Sequence, residues 1–206
     1  MPAMNEFKRK PGSVTRAEPM RAILAAGRHP LDKGRVSEIV DLLRMHPRRL
    51  AALVECLWDE DPGVASRAAD TLERLTSVRK SATGPVIAAR RLEPWKEALI
   101  GLMIEAEPKK LRWNLALILP RIALTVAEAR RGSAVLRSWL EDSSSIVKTA
   151  ALDGLAAFTR HDPASLPQVS ELLRIHSRSG TAAMRARSRI LLKKLSSVDT
   201  RRSFIA

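Results

Sequence analysis

Residues 59–72, Asp-Glu-Asp-Pro-Gly-Val-Ala-Ser-Arg-Ala-Ala-Asp-Thr-Leu, decide the fold. Asp61 offers a side-chain oxygen to the first free amides of a helix, and Pro62 suits the first helical position, where its missing N–H costs nothing. Val64, Ala68 and Leu72 then recur every four residues and line one helical face. Just upstream, Leu50, Leu53, Val54 and Leu57 stand at i, i+3, i+4 and i+7, the stripe of a second amphipathic helix. Two such helices joined by a short acidic turn read as an α-hairpin that needs neighbours to cover its apolar faces.

The block recurs. An ungapped shift of 83 residues sets Leu53, Leu57, Asp59, Val64, Ala68 and Leu72 against Leu136, Leu140, Asp142, Val147, Ala151 and Leu155. A shift of 47 sets Ile100, Ile104, Leu111, Leu115, Leu119 and Ile122 against Leu53, Leu57, Val64, Ala68, Leu72 and Leu75. A weaker fourth copy runs through Leu172 and Ile175, a turn at Ser179-Gly180, and Ala182, Ala186 and Ile190. The intervening turns at Glu107-Pro108 and Asp142-Ser143-Ser144 again supply capping oxygens or proline. Residues 77–88 form an insertion after the first block, read as a loop or an extra short helix.

The run from Asp59 to Leu72 resembles a HEAT or HEAT-like repeat, whose second helix opens with Asp-Pro and Val and continues with small residues; the likeness covers residues 47–196. Ser144 departs from the Asp-Pro pattern. The resemblance implies an all-α fold, a right-handed α-α superhelix of about four helix pairs, at residues 47–76, 92–123, 126–159 and 164–196 within a repeat domain of residues 33–196. Ala68, Ala69, Ala150 and Ala151 would let stacked helices approach closely. A capping helix through Val36, Ile39, Val40, Leu42 and Leu43 ends at Pro47. Residues 1–32, with Pro2, Pro11, Pro19 and Pro30, read as a flexible basic arm around one short helix near Met20–Ala26, left out of the fold. Residues 197–206 read as a C-terminal tail.

Composition agrees with an all-α interior: 45% of residues are hydrophobic, 3% aromatic, and there is no Tyr. Charged residues interrupt every Leu-rich run, so no segment offers the roughly 18 apolar residues of a membrane span. The N-terminus carries Glu6, Lys8, Arg9 and Lys10 in place of a signal-peptide core, which sets the expectation of a cytoplasmic protein. The single cysteine, Cys56, lies among Leu53, Val54 and Leu57 and reads as a core residue. The net charge of +14 is uneven: residues 178–206 hold eight basic side chains and one acidic. That surplus favours anionic partners or keeps a terminal helix soluble.

Asp59, Glu60, Asp61, Glu105, Glu107, Glu141 and Asp142 fall at the turns within pairs, where carboxylates complement the positive ends of the following helices. Arg79-Lys80, Arg90-Arg91, Arg130-Arg131 and Arg160-His161 fall between pairs, near helix C-termini. His29, His46, His161 and His176 show no ligand spacing, so no metal is expected. The glycines form no phosphate loop or nucleophile elbow, and no cofactor is expected. Trp139 continues a core stripe, whereas Trp113 lies off its stripe and is the aromatic best placed to meet a partner. HEAT-like DNA glycosylases need a carboxylate near such an aromatic on the concave face. Asn114 and Leu117 stand where it would be sought, so the enzyme reading is the weakest.

In the HEAT resemblance the second helices line the concave surface, and the position three after each first core residue is expected to face away from the core. This selects Arg67, Asn114, Ala150 and Arg185, and later turns add Arg74, Arg121 and Arg189. With Trp113, these residues form the expected face for a partner, a protein in the first reading. The second reading is sequence-independent DNA or RNA binding, aided by Arg187, Lys193, Lys194, Arg201 and Arg202.

Overall fold

The structure, a computed structural model, describes residues 18–26, 35–78 and 85–203, with side-chain surroundings through residue 197. The described residues form α-helices and short 3-10 turns and contain no strand. Helices α1 (Met20–Ala25) and α2 (Val36–Met45) open the chain. Four pairs follow: α3 (Leu50–Glu55) with α4 (Pro62–Thr76), α5 (Lys96–Glu105) with α6 (Lys109–Ile118), α7 (Val126–Ser138) with α8 (Ser145–Phe158), and α9 (Leu166–Ser179) with α10 (Ala182–Ser203).

The second helices pack side by side in chain order: α4 on α6, α6 on α8, α8 on α10. The four-residue stripes form the seam, since Val64, Ala68, Leu72, Leu111, Leu115, Leu119, Val147, Ala151 and Leu155 are all buried. Glycine permits the closest approach. A Cβ on Gly154 would lie 2.5 Å from Leu136 Cδ1 and 2.8 Å from the Ala116 carbonyl oxygen, so α8 meets both α7 and α6 there without a side chain. Caps work locally: Asp61 accepts the Gly63 amide at 2.7 Å, and Thr125 and Glu128 form a reciprocal capping box on α7.

Several expectations are corrected. Helix α1 belongs to the core, because Met20, Ile23 and Leu24 are buried against α3 and α4; six residues among prolines are too few for a periodic pattern to reveal it. The arm's other residues, 1–17 and 27–32, lie outside the described residues, as do 79–84 of the insertion. Where the insertion returns, the Ile87 amide donates to the Leu75 carbonyl. Residues 197–203 are not a tail but continue α10. The fourth block's register is also wrong: Ile175 and Ile190 are exposed, while Val169, Leu173, Met184, Ser188 and Leu191 face inward. Ile104 is 60% exposed, and Met103 fills the core in its place.

Among the described residues, no helix is long and apolar enough to cross a membrane, and no group of three or more His, Cys, Asp or Glu could hold a metal ion.

Candidate functional site

The expected face is displaced by about one residue around each helix. Arg67 is 2% exposed and its Nε donates to the Leu24 carbonyl, so it holds α1 down instead of meeting solvent. Asn114 is 1% exposed and donates to the Lys110 carbonyl at 2.9 Å. Ala150 is buried as well. The reason is geometric: the second helix of a pair is flanked by a neighbour on each side and by its own partner, so the third position beyond the core stripe still faces a flank. Three further cations are accounted for. Arg74 pairs with Asp70 at 3.2 Å. Arg121 of the 3-10 turn after α6 reaches back to Glu73 Oε1 at 2.6 Å and to Thr76 Oγ1 and the Glu73 carbonyl, each at 2.9 Å. Arg185 donates to the Gly180 carbonyl at 2.7 Å. Arg189 is exposed with no carboxylate partner among the described residues.

Two clefts open to solvent across α6, α8 and α10. One cleft, of about 390 Å³, is lined by Leu117, Pro120 and Arg121 from the α6 side, Asp153, Ala156 and Ala157 from α8 and Arg160 from the turn after it, and Leu191, Lys194 and Leu195 from α10. A second, of about 260 Å³, is lined by Trp113, Ile146, Thr149, Ala150, Asp153 and Ala183. Trp113, 36% exposed, and Ile146 give it an apolar wall. The two clefts meet at Asp153, whose carboxylate is clasped by Arg187 from α10: Nε lies 2.7 Å from Oδ1 and 2.9 Å from Oδ2.

Charge on this face is unbalanced. Arg187 takes up Asp153 and Glu73 takes up Arg121, leaving Arg160 and Lys194 exposed on the larger cleft without a carboxylate partner among the described residues. The Arg160 guanidinium donates to the Pro120 carbonyl, and desolvation there, with nearby Arg121, lowers its pKa from the usual arginine value. Arg160 therefore stands at the mouth of a cleft, not on the outer edge where its pairing with His161 suggested it.

Of the residues expected on the partner face, Trp113 and Arg121 line these clefts, while Leu117, Asp153 and Ala157 line them without having been placed there from the sequence. The signal was available: Trp113 and Leu117 on α6 and Arg121 in the turn after it are spaced by four, and the same spacing runs through Thr149, Asp153 and Ala157 on α8. Asp153 also supplies, from a neighbouring helix, the carboxylate near Trp113 that the sequence around that residue lacks, although Arg187 occupies both of its oxygens.

Among the turn acids, Asp59, Asp61 and Asp142 serve the fold. Asp142 accepts the Ser144 amide and Arg112, both at 2.7 Å, and Asp59 accepts Arg21 at 2.6 Å. Burial works against ionisation of both carboxyls, but the donors outweigh it and hold both below the usual carboxylate range. The edge cations Arg130 and Arg131 pair with Asp162 at 2.8 Å and Glu97 at 2.9 Å.

No family model matches the chain, and no curated protein matches it. A crystal structure of an engineered protein is similar in fold, with a TM-score of 0.57 and 18% identity over 86% of this chain and 78% of that one.

Proposed function

We propose that the chain is a non-catalytic HEAT-like solenoid, a right-handed superhelix of helix pairs in the cytoplasm, that docks a protein partner on the face of α6, α8 and α10. One observation carries this reading: two adjoining clefts on one face, walled by Trp113, Ile146, Leu117, Leu191 and Leu195. Exposed aromatic and aliphatic walls with a few fixed charges suit a protein surface. A phosphate backbone would instead favour a ladder of free cations. Of the cations expected to form such a ladder, Arg67 is buried, and Arg74 and Arg121 are held by carboxylates.

The test is purification of the full chain from its source cells at low salt, beside Ala157→Glu in the cleft and Ile175→Glu on α9. A defined polypeptide retained by the unaltered chain and by Ile175→Glu, and lost with Ala157→Glu, is the expected result. Equal retention by all three would remove the face from consideration.

Sequence-independent nucleic-acid binding is the second reading, and Arg160, Arg189 and Lys194, exposed cations without a carboxylate partner among the described residues, favour it. It requires affinity that falls linearly in log-log form with salt, with a slope of about −0.9 per phosphate neutralised on duplex DNA. A glycosylase would need Asp153 released from Arg187.

A further inference from the structure

Resting on that docking face, we infer that its occupant is an acidic, apolar peptide segment, with an apolar side chain in the Trp113 cleft and a carboxylate between Arg160 and Lys194. Charge complementarity selects it. Asp153, the carboxylate lining the clefts, is held by Arg187, and Arg121 is held by Glu73 of α4, while the cations at the far end of the larger cleft are not neutralised. Arg160, though exposed, is partly desolvated against Pro120 and repelled by Arg121, both at a cost to its charged form. A carboxylate from a partner relieves that cost and hydrogen-bonds the guanidinium fork.

The Arg187–Asp153 clasp lies between the clefts and gives the occupant a spacing. From Thr149 in the smaller cleft α8 rises about 1.5 Å per residue to its end at Phe158, and Arg160 in the larger cleft stands two residues beyond, about 16 Å away in all. That distance equals about five residues of extended chain at about 3.3 Å each. The recognised pattern is therefore a bulky apolar residue, about five positions from an Asp or Glu, with small or polar residues crossing the clasp.

The experiment is selection of a displayed library of random peptides on the full chain, followed by binding of the enriched peptides to Lys194→Glu, Arg160→Gln and Leu117→Glu. Far-UV circular dichroism and melting confirm that each variant is folded. The expected result is enrichment of an acidic residue at that spacing from an apolar one, with binding about tenfold weaker or worse in Lys194→Glu and in Arg160→Gln. Enriched peptides without acidic residues, whose binding is lost in Leu117→Glu but unchanged in Lys194→Glu, would overturn the acidic occupant and leave the docking face standing. No enrichment at all would overturn both. Lys194-dependent binding of a single-stranded oligonucleotide that displaces the selected peptides would likewise reject a peptide occupant.

Discussion

Arg187 of α10 donates through Nε to both carboxylate oxygens of Asp153 on α8, at 2.7 and 2.9 Å, and this clasp divides the open face of the protein in two. The Arg187 side chain is 42% exposed, so the pair contributes little to stability, about 0–1 kcal/mol. Arg187→Ala should therefore leave the melting temperature nearly unchanged while joining the two clefts. The measurement is the spacing preference of bound peptides, which should relax; a large fall in stability would show the clasp to be structural.

Helix approach at Gly154 is testable against a neutral site. The Cβ of Gly154→Ala would meet the Ala116 carbonyl at 2.8 Å, so backbone must shift, at a cost of about 1–3 kcal/mol. At Gly101 in α5 nothing lies within 4 Å, and Gly101→Ala should stabilise by up to about 1 kcal/mol. Denaturant melts of both variants should give opposite signs.

The stripes of the second helices were legible because a four-residue apolar spacing repeated at a fixed shift has no other economical explanation. Leu72 and Leu155, matched by the shift of 83, are both buried, and truncating either to Ala should cost about 2–5 kcal/mol in chemical denaturation. Losses below about 0.5 kcal/mol at both would contradict the packing. The open face was less legible, because Arg67 and Asn114 differ from Trp113 by a rotation that only the flanking helices decide. In α10, Ala182, Ala186 and Ile190 form one candidate stripe and Met184, Ser188 and Leu191 another. The longer apolar side chains of the second stripe win the interior.

Glu128 sets an acid-sensitive link between α5 and α7. Its carboxylate accepts Lys96 Nζ at 2.7 Å and the Thr125 amide at 2.7 Å, which together lower its pKa from 4.5 to about 2. A carboxyl held near 2 when folded and near 4.5 when unfolded contributes stability fully above about pH 4.5 and loses it as pH falls towards 2. Glu128→Gln should flatten the stability profile across that window and cost most above it. An unchanged slope would show that Glu128 is not the titrating group.

Cys56 reports opening of the first pair. Burial, with Asp59 and Glu55 nearby, pushes its thiol up to about 11, and Sγ donates to the Ala52 carbonyl at 3.1 Å. Thiol reagents at neutral pH should therefore label it only at the rate at which α3 opens, and fully once the chain is denatured. Immediate native labelling would contradict the burial.

Docking on α6, α8 and α10 is tested most directly by nuclear magnetic resonance of the full chain, titrated with the tightest selected peptide and followed at the four tryptophan indole N–H signals. The account expects the Trp113 signal to move, with the amides of Leu117, Ala157 and Leu191, while Trp58 and the exposed side of α9 around Ile175 stay fixed. A silent Trp113 with shifts at Ile104 and Ile175 would place the partner on α5 and α9 and contradict the account.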